Sequence, residues 1–124
     1  MKALEADLVS IIDDNNILVA SFAGSDGTYA TVSRCIYFDE QDIALGFDIA
    51  HFEINEQSHG NYGVIKEIDV SDHTVRITYD AKGLGFEKEA SPFIISGKAV
   101  TEKITDIQAA VTRLLSLRNG EADI

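Results

Sequence analysis

Residues 62–79 read YGVIKEIDVSDHTVRITY, and this stretch decides the fold class. After the polar triplet Ser71-Asp72-His73, apolar and polar residues alternate strictly through 75–79. A period of two is typical of a β-strand, and the triplet has the residue types that turns prefer. The stretch therefore predicts two antiparallel strands, at about 62–70 and 75–79, joined by a short turn.

Four further strands are predicted on the N-terminal side of this pair. They cover residues 3–11, 17–23, 29–37 and 49–55. An Asp-Asp-Asn-Asn turn joins the first two as a hairpin, because these side chains tolerate turn conformations. Residues 39–46 begin with acids and end in glycine, which suits either a short helical turn or an acidic loop. Residues 56–61 are predicted to be a polar loop.

The C-terminal part changes period. Residues 80–89 suit a loop or a single helical turn, and 93–96 a short apolar strand. From Thr101 onward the spacing is helical, with an apolar stripe formed by Ile104, Ile107, Val111, Leu114 and Leu115. We expect one α+β domain covering 1–124: a mainly antiparallel sheet of six or seven strands, with one C-terminal amphipathic helix packed on a face.

Composition limits the class of protein. The chain has 124 residues and is 45% hydrophobic, which is enough for one packed core without disulfides or a structural metal. Cys35 is the single cysteine, so an internal disulfide is excluded, and we expect a buried thiol in a reducing compartment. Glu5 and Asp7 precede any apolar stretch, and none reaches the length of a signal peptide or membrane span. The prediction is a cytoplasmic protein.

Negative charge is concentrated in the N-terminal half. The formal net charge is −11, and residues 1–65 hold eleven acids against only Lys2 and Arg34. From Cys35 to Ile65 there is no lysine or arginine. A field of one sign attracts a basic partner and repels nucleic acid and anionic membranes, so neither of these is expected as a partner. The competing interpretation is that the charge serves solubility alone.

The residues that could carry chemistry do not form a familiar motif. Carboxylates between 39 and 48 lack the spacing of a calcium loop, and the three histidines lie on separate predicted elements, so no metal or cofactor is expected. Nothing around Cys35 indicates an activated thiol. An enzyme remains an alternative, namely a small hydrolase or isomerase that uses Glu53 with His51 or His59 in a cleft.

Three segments together resemble a known family. They are DEQDIALGFD at 39–48, FEINEQ at 52–57 and YGVI at 62–65. Together they are similar to the immunity protein 10 family of bacterial polymorphic-toxin systems, and the resemblance extends loosely from about residue 17 to the closing helix. Val64 stands where a second glycine is expected, and residues 82–92 match poorly.

The resemblance implies a non-enzymatic, cytoplasmic protein that binds and neutralises a cognate toxin domain. Many such toxins are nucleases with basic clefts, which an acidic protein can occupy. The implied partner-binding residues are the acids Asp39, Glu40, Asp42, Glu53 and Glu56 with the aromatic anchors Tyr37 and Tyr62. Burial of Glu53 and Asp42 against backbone groups would remove them from this role. A structural or regulatory protein that associates through a sheet edge or helix, including a homo-oligomer, is the other alternative.

Overall fold

The computed structural model describes residues 3–14, 17–35, 40–44, 50–55, 59–86 and 92–116. Its elements, in chain order, are β1 (Ala3–Glu5), β2 (Leu8–Asp13), β3 (Ile17–Ala23), β4 (Tyr29–Cys35), α1 (Glu40–Ala44), β5 (His51–Ile54), β6 (Gly60–Tyr62), β7 (Ile65–Val70), β8 (Val75–Tyr79), a 3-10 turn (Lys82–Leu84), β9 (Phe93–Ser96), α2 (Lys98–Glu102) and α3 (Ile104–Ser116). This arrangement confirms the predicted α+β class. Among the described residues, no helix is both long and apolar enough to cross a bilayer.

The described strands form two sheets rather than one. The first sheet has the order β2-β3-β4-β5-β6 and is antiparallel throughout. The second has the order β1-β9-β8-β7, in which β1 runs parallel to β9 and the other pairs are antiparallel. The predicted hairpins β2–β3 and β7–β8 are confirmed, and residues 40–44 take the helical alternative rather than the loop.

The predicted strand 3–11 is divided between the two sheets. The amide of Ala6 donates to the carbonyl of Ser96 at 2.8 Å, whereas the next amide, that of Asp7, donates to Ala23 at 2.8 Å. The first bond continues the pairing of β1 with β9, and the second begins the pairing of β2 with β3. The chain therefore passes from one sheet to the other between two adjacent residues.

A second division falls within the predicted strand 62–70. Gly60–Tyr62 pairs with β5 as β6, so the predicted loop 56–61 was wrong at its end. Gly63 then has a φ of +72°, a left-handed conformation that glycine adopts without steric cost, and its amide donates to Ala50 at 3.1 Å. The chain enters the other sheet as β7, starting at Ile65.

The sheets pack face to face around one apolar core. The ring of Phe52 on β5 lies 5.3 Å from that of Tyr79 on β8 and 6.4 Å from that of Phe93 on β9, both edge to face. All three side chains are buried. These pairs, together with the alternation of buried residues along β3, β4 and β5, define an inner face for each sheet.

The predicted C-terminal helix is confirmed as α3, which follows the short α2. It packs against β2, β3 and β7, and buries Ile107, Val111 and Leu114. Leu115, which the spacing placed on the apolar stripe, is instead 42% exposed. Arg34 of β4 points to the inner face, is buried, and donates from Nη1 to the carbonyl of Leu114 at 3.0 Å. Hence α3 covers the inner face of the five-stranded sheet at β2, β3 and part of β4, whereas the other sheet packs on it at β5.

Candidate functional site

The other face of the five-stranded sheet, called the outer face here, presents the side chains that alternate with the core residues. Strand register arranges them in rows across the sheet. One row is Ile12, Val19, Ser33, His51 and Tyr62, and the next is Ser10, Ser21, Thr31, Glu53 and Gly60. Two of the predicted site residues, Glu53 and Tyr62, therefore lie in neighbouring rows on one surface.

Glu53 is half-buried in this face. Its Oε2 accepts a hydrogen bond from the hydroxyl of Tyr29 on the adjacent strand. This bond is to a side chain and not to the backbone, and the recognition role of Glu53 stays a prediction. Tyr29 was not predicted as a site residue, because sequence does not give the register that brings it to Glu53.

Asn55 explains one of the family-like motif positions. Its φ is +65°, a conformation that asparagine tolerates better than most residues. Its Oδ1 accepts from the amide of Tyr29 at 2.9 Å, and its own amide donates to the carbonyl of Tyr29 at 3.0 Å. This asparagine ends β5 and fixes its pairing with β4, so its part in the FEINEQ segment is structural.

Tyr62 combines exposure with a fixed orientation. It is 38% exposed, and its ring packs edge to face on that of His51 at 4.9 Å. Partial burial raises the pKa of the Tyr62 phenol, and the nearby Cys35 raises it further. The phenol therefore stays neutral at physiological pH and can donate a hydrogen bond. Cys35 itself is half-buried on β4, so the predicted buried thiol was wrong, because its position alternates with the core positions of that strand.

The remaining predicted site residues are placed in part. Glu40 is exposed at the first residue of α1, where a carboxylate is favoured by the helix dipole. Asp42 lies within α1, but its side chain is outside the described part of the structure. Tyr37, Asp39 and Glu56 also lie outside the described residues.

The surface of the N-terminal half is acidic where the structure describes it. Among the described residues between 3 and 65, the exposed acids are Glu5, Asp7, Asp13, Asp14, Asp26 and Glu40. Arg34 is the one basic residue in the described part of this half, and it is only 5% exposed. The described part of this half therefore supplies almost no exposed cation of its own, although Asp13 forms an ion pair at 2.8 Å with Arg113 of α3.

One of these carboxylates, Asp26, lies in the turn between β3 and β4, and its contribution to stability can be measured. Oδ1 of Asp26 accepts from the amide of Thr28 at 3.0 Å, and this bond lowers the pKa of Asp26. A lowered folded-state pKa stabilises the fold above the unfolded-state pKa, and the effect is lost as pH falls through the folded value. We therefore expect the stability difference between wild type and Asp26→Asn to be present at pH 7 and to vanish in acid.

Urea unfolding of both proteins from pH 7 to pH 2 measures this difference. Asp72→Asn, the same charge change in an exposed turn, controls for the loss of one negative charge. A difference between wild type and Asp26→Asn that grows as pH falls would contradict the expected sign.

The histidines do not form a common centre in the described structure. His51 and Glu53 share the outer face of β5, but the ring of His59 stacks on Phe86 at 4.3 Å and its Nδ1 lies 2.8 Å from the carbonyl of Leu84. No group of three or more His, Cys, Asp or Glu side chains in the described residues could hold a metal ion.

Three cavities within the described regions lie elsewhere. They have volumes of about 490, 280 and 390 Å³. The first is lined by residues of β2, β3 and α3, the second by the β1–β2 corner with the β3–β4 turn, and the third by the β7–β8 turn with α3. His51, Glu53 and His59 line none of these three. The hydrolase alternative needs a pocket lined by these groups, so these cavities do not support it.

Comparison with known families agrees with the resemblance seen in the sequence. The model of the immunity protein 10 family matches residues 5–91. This chain belongs to the immunity protein 10 family. No curated protein and no solved structure matches the chain significantly. The segment matched to immunity protein 10 includes all of the five-stranded sheet, and therefore the whole outer face, whereas β9, α2 and α3 follow it.

Sequence reasoning missed the exposed aliphatic residues of this immunity protein. Leu8, Ile12 and Ile17 are 63%, 48% and 37% exposed, and all three lie on the outer face. The sequence does contain an indication of these residues. The segment LVSII at 8–12 is apolar at both odd-numbered and even-numbered positions, and therefore on both faces of a strand. A strand with one solvated face usually alternates, so apolar residues on both faces of β2 leave aliphatic side chains exposed on the outer face.

Proposed function

We propose that this immunity protein binds a cognate toxin domain with a basic surface in the cytoplasm, and blocks it through acidic side chains of its N-terminal half. Family membership carries the proposal, because immunity proteins act as antidotes to toxins. Binding alone is sufficient for this role, so no catalytic step by the chain is required. The exposed carboxylates supply the potential that would attract a cationic partner.

A nuclease is the class of toxin that we propose. A nuclease cleft is basic because it neutralises phosphate, and a surface with many carboxylates and few exposed cations complements it. The charged contacts would come from Asp39, Glu40, Asp42, Glu53 and Glu56, with Tyr37 and Tyr62 as aromatic anchors.

Co-expression with a toxin domain from a neighbouring gene, should the locus encode one, tests the proposal. Wild type should restore growth, whereas the triple variant Asp39→Lys/Glu40→Lys/Asp42→Lys should bind the purified toxin domain about a hundredfold more weakly or worse, because the charge reversal turns attraction into repulsion. Binding of wild type should also weaken as salt rises, because exposed charge pairs are screened beyond about 8 Å at 0.15 M ionic strength.

The matched control makes the same change in charge elsewhere. Glu67, Asp69 and Asp72 are exposed on β7 and the turn after it, and their replacement by lysine should leave protection unchanged. Equal protection by both triple variants would reject the acidic contact. Absence of protection by wild type would reject the antidote function, and a salt-independent affinity would argue against a basic partner.

A further inference from the structure

An aliphatic patch lies at one end of the outer face. Ile12 and Ile17 are 48% and 37% exposed, and Val19 between them is half-buried. Ile12 pairs with Val19 across β2 and β3, and Ile17 occupies the next outward position of β3. The three side chains are therefore contiguous, and we call them the aliphatic patch.

The aliphatic patch is one end of a row of side chains whose polarity changes across the sheet. From Ile12 the row crosses five strands through Val19, Ser33 and His51 to Tyr62. Neighbouring strands are about 4.8 Å apart, so the row is roughly 19 Å long. It begins with aliphatic side chains, continues with a small hydroxyl, and ends with aromatic rings beside Glu53.

Helix α3 does not occupy this surface. The cavity between α3 and the sheet is lined by Ile11, Asp13 and Leu18 of β2 and β3. These three residues occupy the strand positions that face the inner side of the sheet. The exposed ends of Ile12 and Ile17 thus retain contact with water, which costs free energy in proportion to the apolar area left uncovered.

We propose that the outer face is the docking surface for the toxin domain, with Ile12 and Ile17 as anchors that become buried on binding and Glu53 as a charged group on the same face. This inference rests on the proposed function. Interfaces combine apolar anchors with polar contacts, and the outer face presents both, with the aliphatic patch at one end and Glu53 with Tyr62 towards the other.

Charge selects the toxin over a second copy of this chain. Two copies, each with a net charge of −11, would repel each other, and a face-to-face pair would bring the Glu53 carboxylates of both copies to the same interface. Like charges repel each other at an interface, whereas a basic partner is attracted by the same groups. An anionic membrane is disfavoured for the same reason.

The test replaces the two isoleucines by threonine, which removes apolar surface but keeps the net charge of the protein and the β-strand preference of each position. Ile12→Thr and Ile17→Thr retain β-branched side chains, so the sheet should still fold, with only a small fall in the unfolding midpoint from the apolar contact that each side chain loses. Each substitution should weaken binding of the purified toxin domain about tenfold, and the double variant about a hundredfold, because each anchor loses buried apolar area.

Leu115→Thr is the matched control. Leu115 is 42% exposed on α3, which packs on the inner side of the sheet, and its replacement should leave affinity within about twofold of wild type. The unfolding midpoint of every variant is measured alongside, and the single variants carry the test should the double variant unfold.

The outcomes separate this inference from the function on which it rests. Toxin binding by wild type and equally by Ile12→Thr/Ile17→Thr would overturn the docking surface and leave the antidote function intact. Failure of wild type to bind would overturn both. Sedimentation of the wild type as a dimer, with dissociation in the double variant, would assign the face to a second copy and overturn the toxin as its occupant.

Discussion

Phe52→Ala is expected to lower the free energy of unfolding by about 3–5 kcal/mol, because it removes a fully buried aromatic ring and leaves a cavity between the sheets. The ring contacts Tyr79 and Phe93, both on the opposite sheet. Its loss therefore weakens the packing of one sheet on the other. Urea unfolding followed by far-UV circular dichroism measures the change.

Phe52→Leu is the control for this prediction. It keeps an apolar side chain at the same position, so its cost should be clearly smaller, within about 1–2 kcal/mol. Equal stability of Phe52→Ala and wild type would contradict the face-to-face packing of the two sheets.

Gly97→Ala is expected to cost about 2–4 kcal/mol, because it combines backbone strain with a collision between backbones. Gly97 has a φ of +119°, a region that is open almost only to glycine. A Cβ at this position would lie 2.6 Å from the carbonyl oxygen of Ala6, and a backbone atom cannot move aside as a flexible side chain can. The collision falls where the amide of Ala6 bonds to Ser96, so the pairing of β1 with β9 should be lost first.

Gly27→Ala separates strain from collision. Gly27 also has a positive φ, of +88°, but a Cβ there would meet nothing within 4 Å. Its replacement should therefore cost only the strain of a left-handed residue, about 1–2 kcal/mol. Thermal unfolding of both variants, with hydrogen exchange at the amides of β1, measures the contrast. Equal destabilisation by the two substitutions would argue against the close approach of Gly97 to Ala6.

The family-like segments contain residues that stabilise the fold as well as residues that are proposed to bind the toxin. Asn55 and Gly63 lie in family-like segments, yet their positive φ values tie them to a strand end and to the turn between the sheets. Glu53 and Tyr62 lie beside them on the outer face, with part of each side chain exposed. Substitutions at the first pair should therefore act on stability, whereas substitutions at the second pair can act on recognition.

Much of the secondary structure could be predicted from local pattern. The alternation through 75–79 predicted β8, the Asp-Asp-Asn-Asn turn predicted the hairpin of β2 and β3, and the helical spacing after Thr101 predicted α3. These features depend on which residues can occupy one face of a strand or helix, and that information lies within a few neighbouring residues.

The candidate site was predictable only in part. The charge asymmetry and the family-like segments indicated an acidic protein that binds a partner, and Glu53 and Tyr62 do share a surface. The aliphatic patch was missed because β2 has apolar residues on both of its faces. The local pattern therefore did not indicate which face the core would cover. That choice depends on α3, more than eighty residues further along the chain, which packs on the inner face.

The sequence by itself determined the α+β class, the helix, the hairpins and the sign of the surface charge, since each follows from residue type and short-range spacing. Tertiary structure alone decided that the strands divide into two sheets, with the chain crossing between them at Ala6 and again at Gly63. The residue pattern of an extended segment does not indicate whether its two ends pair with one sheet or with two. Only the distant partners, Ser96 and Ala23 at the first crossing, settle where each end belongs.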